Sequence, residues 1–207
     1  MKRIVHIAVI SVLAAEALVL GQAQEASKIL ADVRQALGGD TLAALQTLAI
    51  EGRSARPSPA GTIERQFEMN IKLPDKFLRR DVLMAMSNMS VYRLSGFNGP
   101  TGLINEIDQP PQFGHGAARA GHEHSAGGVA TAATEMTSEQ KEAQRVAALL
   151  TNKKEYARLA LGIFAAAPAV YPLEFTYAGQ AESPEGTAHV IDVKGEGKFA
   201  VRLFVDT

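Results

Sequence analysis

Cysteine and tryptophan are absent from this 207-residue chain, and neither sign of charge predominates. The lack of cysteine excludes disulfide bonds, thiol catalysis and a lipid-modified cysteine after a signal peptide. The net charge of −1 gives no electrostatic footprint for nucleic-acid binding. Packing of apolar side chains must therefore stabilise the fold, and the length suits one domain with a sizeable core.

Common catalytic motifs are missing as well. The chain has no G-x-S-x-G, no H-E-x-x-H, no phosphate-cradling G-x-x-x-x-G-K and no dinucleotide fingerprint. The glycine-rich segment 96–102 joins two predicted strands, so it offers no helix N-terminus to a phosphate group. We therefore expect a non-catalytic protein that uses no cofactor.

Residues 1–23 have the composition of an export signal. A short basic start is followed by the largely apolar segment 4–20, and small residues around Ala23 suit cleavage by a signal peptidase. His6 and Glu16 interrupt the apolar segment, which favours a cleaved signal over a membrane anchor. We expect a periplasmic or secreted mature protein, residues 24–207, without a stable membrane span; a retained anchor is the alternative.

Two segments have helical periodicity. The first precedes Gly38-Gly39, which predicts a left-handed stop, and Asp40 is the predicted N-cap of a short second helix. The second of the two periodic segments begins at a capping box formed by Thr137 and Gln140. The apolar positions of the first helix recur at helical spacing: Ile29, Leu30, Val33, Ala36 and Leu37.

Alternating apolar and polar residues predict strands between these helices and after them. Strands are expected over 63–73, 77–86, 89–97 and 101–107, with a turn at Pro74-Asp75, and again from Tyr171 to the end of the chain. Such an order predicts an α+β fold in which helices cover one face of an antiparallel sheet. In the first of these strands, the alternate residues that share one face are apolar: Ile63, Phe67, Met69, Ile71 and Leu73.

Residues 109–135 form a Gly/Ala/His-rich stretch that we expect to be a flexible loop. It contains His115, His122 and His124, and neutral imidazoles bind zinc or copper. Nothing in this composition preorganises a metal site, so we assign no metal ligands. Metal binding through this loop remains an alternative function.

The chain stops at Thr207 directly after a strongly patterned strand. An apolar terminal edge strand would be prone to pair with another chain. We therefore expect the sequence to be a truncated piece of a longer protein, with a natural terminal strand beside a partner as the alternative.

Three segments resemble bacterial outer-membrane lipoprotein-sorting and lipoprotein-carrier-like proteins: residues 36–39, 73–81 and 96–102. The resemblance extends to the arrangement of elements over most of the mature chain. It implies that the sheet curves into an incomplete, half-open barrel around an apolar cavity that holds acyl chains. Pro74, Phe77 and Arg79 match the Pro, aromatic and basic positions that open a strand in this family, whereas Leu103 stands where a tryptophan often occurs.

A lipid site in such a cavity would use adaptable apolar side chains. Methionine is unbranched and polarisable, and ligand sites are concave and mostly apolar. The alternative is that these residues form only the core between sheet and helices. The candidate ligand-binding residues are Phe67, Met69, Met84, Met86, Met89 and Tyr92.

A basic cluster flanks the predicted turn and could contact lipid head groups or a protein partner: Lys76, Arg79 and Arg80. The leading hypothesis is an exported protein that binds a lipid or acyl chain. The alternative is an envelope accessory module that docks on a protein partner through its sheet edge or this basic hairpin.

Overall fold

The computed structural model describes residues 21–59, 61–86, 89–108, 136–184 and 186–207, without the side chains of Met86 and Met89. Residues 1–20 of the predicted signal peptide and the predicted loop 109–135 lie outside these ranges. The three described helices are α1 over residues 21–36, α2 over Asp40–Ala43 and α3 over Ser138–Phe164.

The eight described strands are β1 Thr47–Ser58, β2 Gly61–Lys72, β3 Lys76–Met86, β4 Met89–Asn98, β5 Gly102–Asp108, β6 Leu173–Ser183, β7 Gly186–Gly195 and β8 Phe199–Asp206. Strands β1 to β5 form a five-stranded meander, the large sheet, and β6 to β8 form a three-stranded meander, the small sheet. Every pairing is antiparallel. The predicted α+β class with antiparallel strands is confirmed, and its described strands form two open sheets.

Glycine ends helix α1 as its sequence predicts. Gly38 and Gly39 have φ values of 133° and 50°, which a residue with a side chain rarely adopts. The N-cap of α2 is Gly39, and Asp40 is the first helical residue instead of the predicted cap. The chain then enters β1 only a few residues later, so α2 serves as a short connection.

Helix α3 begins at the predicted capping box. The Gln140 amide donates to Thr137 Oγ1 at 3.2 Å, and the Thr137 amide donates to Gln140 Oε1 at 2.9 Å. The helix ends at Phe164, where Ala165 turns left-handed with φ 47°. Arg34 Nη1 donates to the Ala165 carbonyl oxygen at 2.9 Å, so the end of α3 is tied to α1.

Two hydrophobic cores share α3. One core packs α1 and α3 on the small sheet, and its buried members are Ala26, Ile29, Leu30, Ala157, Leu161, Ala165, Tyr171, Ile191, Val193 and Phe199. The other packs α3 on the large sheet, and its buried members are Met69, Ile71, Phe77, Phe97, Leu149 and Tyr156. Different faces of one helix therefore cover the two sheets.

The second core lies at one end of the large sheet, near the turn between β2 and β3. The rings of Phe77, Phe97 and Tyr156 pack with centroids 5.5–5.9 Å apart. The buried Asn152 Nδ2 on α3 donates to the Gly96 carbonyl oxygen at 3.0 Å, so its amide nitrogen is satisfied. We call this helix-covered end the base of the large sheet.

Candidate functional site

Strands β2 and β3 separate halfway along the large sheet. They are paired only between Phe67↔Asp81 and Lys72↔Lys76, although β2 begins at Gly61 and β3 continues to Met86. Each strand stays paired with its other neighbour along this stretch. The β1–β2 hairpin and the β3–β4 hairpin therefore part beyond Phe67. We call the parted region, with its flanking strands, the open end.

A cleft of about 490 Å³ lies between residues 63–66 of β2 and 82–85 of β3, and it is open to solvent. Its apolar lining residues are Ile63, Val82, Leu83, Met84 and Ala85, and its polar ones are Arg53, Glu64, Arg65 and Gln66. Ile63 and Met84 are each 47% exposed. Apolar side chains from both hairpins thus line a cavity of ligand size.

A β-bulge explains why Met84 lies where it does. The β3–β4 register shifts between Val82 and Met84, so Met84 faces Val91. Without the shift, Met84 would lie on the opposite face from Phe77, because side chains alternate along a strand. The bulge therefore brings Met84 to the face of the sheet that α3 covers at the base, which we call the inner face.

Phe67 follows the cleft residue Gln66 along β2, at the point where β2 and β3 begin to pair. Its ring lies over Gly52 of β1, where a Cβ atom would come within 2.5 Å of Phe67 Cζ. The Arg79 guanidinium carbon lies 4.6 Å from the ring centroid. A glycine on one neighbouring strand and a cation on the other thus fix the position of this half-buried ring.

Arg79 is itself held by two carboxylates. Its Nε and Nη2 donate to Asp81 at 2.8–3.0 Å, and Nη1 donates to Glu155 of α3. These hydrogen bonds, to Asp81 first, raise the pKa of Arg79 above its ordinary value, although burial opposes the rise. Arg79 therefore links β3 to α3 at the boundary between base and open end.

The predicted ligand-binding residues do not form one surface. Met69 is 5% exposed and belongs to the core at the base. Phe67 lies at the boundary and Met84 in the cleft. Met86 and Met89 are paired at the tip of the β3–β4 hairpin, and their side chains lie outside the description. Among the side chains of this set that the structure describes, only Phe67 and Met84 therefore lie on the inner face where a ligand in the cleft could contact them.

Tyr92 lies on the outer face of the sheet, opposite to Phe67 and Met84, so it does not share their surface as predicted. Asp81 pairs with both Phe67 and Arg93, so these three share the inner face and Tyr92, one residue from Arg93, points away. The Arg80 guanidinium carbon lies 3.5 Å from the Tyr92 ring centroid on that outer face. The predicted grouping fails because it combined residues of both parities.

The predicted basic cluster is also divided. Lys76 is exposed beside the turn, and Arg79 points inward into its ion pairs. Arg80 points outward, 3.6 Å from a Glu68 carboxylate oxygen. Adjacent strand residues face opposite sides, so Arg79 is separated from Arg80 and from Lys76, which lies four residues before Arg80 on the same face.

Sequence reasoning missed the cleft residues Val82, Leu83 and Arg65. The consecutive apolar residues Val82-Leu83-Met84 break the alternation of β3, and this break was the available signal for the bulge. Nothing in the sequence pattern indicates that β2 and β3 separate, because both strands keep strand-like composition along the cleft.

Comparisons of the chain with protein-family models, with curated proteins and with solved structures gave no match. In the described ranges, no helix has both the length and the apolar character needed to cross a membrane. Those same ranges contain no group of three metal-ligating side chains. His115, His122 and His124 lie outside them.

Proposed function

We propose that this is an exported, non-catalytic protein that binds a hydrophobic ligand, a lipid or an acyl chain, in the cleft between β2 and β3. The observation that carries the proposal is the separation of the two hairpins with aliphatic side chains on both sides of the gap. A continuous sheet would have filled that gap with backbone hydrogen bonds. Here the apolar lining faces solvent instead.

The energetics favour an aliphatic occupant. Ile63 and Met84 are half exposed, and covering apolar surface is worth about 25 cal/mol per Å². Each methylene of a bound chain would contribute about 0.8 kcal/mol before the costs of immobilisation. Because Met84 is unbranched, it adapts to chains of different shape. The half-buried ring of Phe67 gives the chain an apolar stop at the boundary.

Docking of a protein partner through the basic hairpin has less support. Arg79 is bound to two carboxylates and Arg80 lies on the other face, against Tyr92. Of the predicted cluster, only Lys76 and Arg80 therefore share a face, and Arg80 is already in contact with Glu68 and Tyr92. Metal binding by the histidines of residues 109–135 gains no support from the described residues.

The test uses an uncharged fluorescent chain, methyl cis-parinarate, titrated into the full protein. Met84→Glu places a carboxylate in the apolar lining, so we expect the Kd for the ester to rise at least about tenfold, equivalent to about 1.4 kcal/mol. Phe204→Glu is the matched control, because Phe204 is a 63% exposed strand residue on the small sheet. It should leave the Kd unchanged.

Circular dichroism of both variants verifies that they fold. Absence of saturable ester binding by the unaltered protein would refute the proposal. Equal loss of binding in the two variants would place the ligand outside the cleft and would refute it as well.

A further inference from the structure

The two faces of the open end differ in charge. On the outer face, carboxylates outnumber guanidinium groups: Glu51, Glu64, Glu68, Glu106 and Asp108 against Arg53 and Arg80. On the inner face the balance is reversed, with Arg56, Arg65, Arg79 and Arg93 against Asp81 and Glu155. The face that carries Phe67 and Met84 is therefore the positive one.

The carboxylates of the inner face do not neutralise its other arginines. Asp81 and Glu155 both bind Arg79. Arg65 and Arg93 are exposed and form no ion pair among the residues that the structure describes. Two guanidinium groups thus remain available to an anion from solution.

These arginines alternate with apolar side chains. Arg65 lines the cleft and lies between Ile63 and Phe67 on the same parity of β2. Arg93 pairs in register with Ile107 on β5 and follows Val91 on the same parity of β4. A ligand lying on this face would meet aliphatic groups and cations within one or two residues of each other.

We infer that the ligand is a single-chain amphiphile with an anionic head group, such as a long-chain carboxylate. Its chain lies in the cleft, Arg65 binds its head group, and Arg93 adds positive potential from the neighbouring hairpin. The inference rests on the proposed function and adds a ligand class to it. Because water already solvates both exposed guanidinium groups, a neutral lipid would gain nothing from them, whereas an anionic head group would form charge-assisted hydrogen bonds with Arg65.

The experiment compares two ligands that share one chain, cis-parinaric acid and its methyl ester, below their micelle concentrations. At about pH 8 the acid is ionised, since carboxyl groups titrate near 4. We expect the unaltered protein at low salt to bind the acid about fivefold more tightly than the ester. Added sodium chloride should reduce this preference, because it screens exposed charges.

Arg65→Gln should abolish most of the preference for the acid over the ester, and Arg65→Lys should restore part of that preference. Arg93→Gln should have a smaller effect in the same direction. Arg202→Gln is the matched control, because Arg202 is an exposed strand arginine on the small sheet and does not line the cleft. It should retain the preference.

The outcomes separate the two proposals. Equal affinity for acid and ester, with binding of both lost in Met84→Glu, would overturn the head-group inference and leave the proposed function standing. Loss of the preference in Arg202→Gln but not in Arg65→Gln would also overturn it. Binding to anionic vesicles without binding of the monomeric acid would overturn it in favour of a membrane surface. Binding of neither ligand would refute both proposals.

Discussion

The base and the open end of the large sheet are built from the same strands but reach different degrees of burial. Along β2, residues 61–66 are exposed, Phe67 is half-buried, and Met69 and Ile71 are buried. The apolar parity of the strand runs through both regions, beginning at Ile63. The two regions differ in whether helix α3 covers them. Tyr156 and Asn152 of α3 pack against the base, and Glu155 of α3 binds Arg79 at the boundary with the open end.

This contrast shows that alternation predicts which face of a strand is apolar and not how deeply that face is buried. Burial depends on a distant helix whose position is set by its own contacts with both sheets. The open end is therefore the region where apolar surface is left for another molecule.

The sharpest test of the contrast truncates one apolar side chain in each region. Phe77→Ala at the base removes a ring that is 1% exposed, so we expect the free energy of unfolding to fall by about 3–5 kcal/mol. Met84→Ala at the open end should change it by no more than about 0.5 kcal/mol. Urea denaturation followed by circular dichroism measures both. Similar losses in the two variants would contradict the division into base and open end.

A second test sharpens the contrast through backbone packing. A Cβ at Gly96 would lie 2.0 Å from the Phe77 carbonyl oxygen, so Gly96→Ala must displace β4 from β3 at the base. We expect a loss of about 1–3 kcal/mol in the free energy of unfolding. Gly162→Ala is the control, because a Cβ there meets nothing within 4 Å and alanine favours a helix. It should stabilise the protein slightly. If Gly162→Ala destabilised the protein and Gly96→Ala did not, the close approach of β4 to the Phe77 carbonyl group would be contradicted.

The smallest expected effect concerns alkaline pH. Burial, and secondarily the charge of Asp75, raises the pKa of Tyr156 above its ordinary value. Above pH 10 or so the unfolded chain ionises this hydroxyl while the folded chain resists ionisation, so stability falls as pH rises. Tyr156→Phe should make the free energy of unfolding fall less steeply above about pH 10. If the free energy of unfolding falls equally steeply with pH in the unaltered protein and in Tyr156→Phe, the base does not exclude water from the Tyr156 hydroxyl.

Local signals predicted much of the fold. Gly38-Gly39, the Thr137–Gln140 capping box and the strand alternation each depend on residues close in sequence, and the structure confirms all three. The resemblance to lipoprotein-carrier-like proteins stays a prediction, as does the export signal, because nothing in the described residues or the comparisons tests them.

The candidate site was less predictable, for two physical reasons. The bulge after Val82 reverses the parity of β3, so counting residues could not place Met84 and Tyr92 relative to Phe67. Whether β2 and β3 stay paired beyond Phe67 depends on contacts between the two strands, and the residue pattern of either strand alone does not indicate it. Both features determine the cleft, and neither follows from a local pattern.

Helix α3 has a thermodynamic consequence for the whole molecule. Leu149 and Tyr156 on it belong to one core, while Ala157 and Leu161 belong to the other. Melting this single element would expose buried residues of both cores at once, so we expect the loss of one core to weaken the other. Two sheets that share no hydrogen-bonded strand should consequently unfold in one concerted transition.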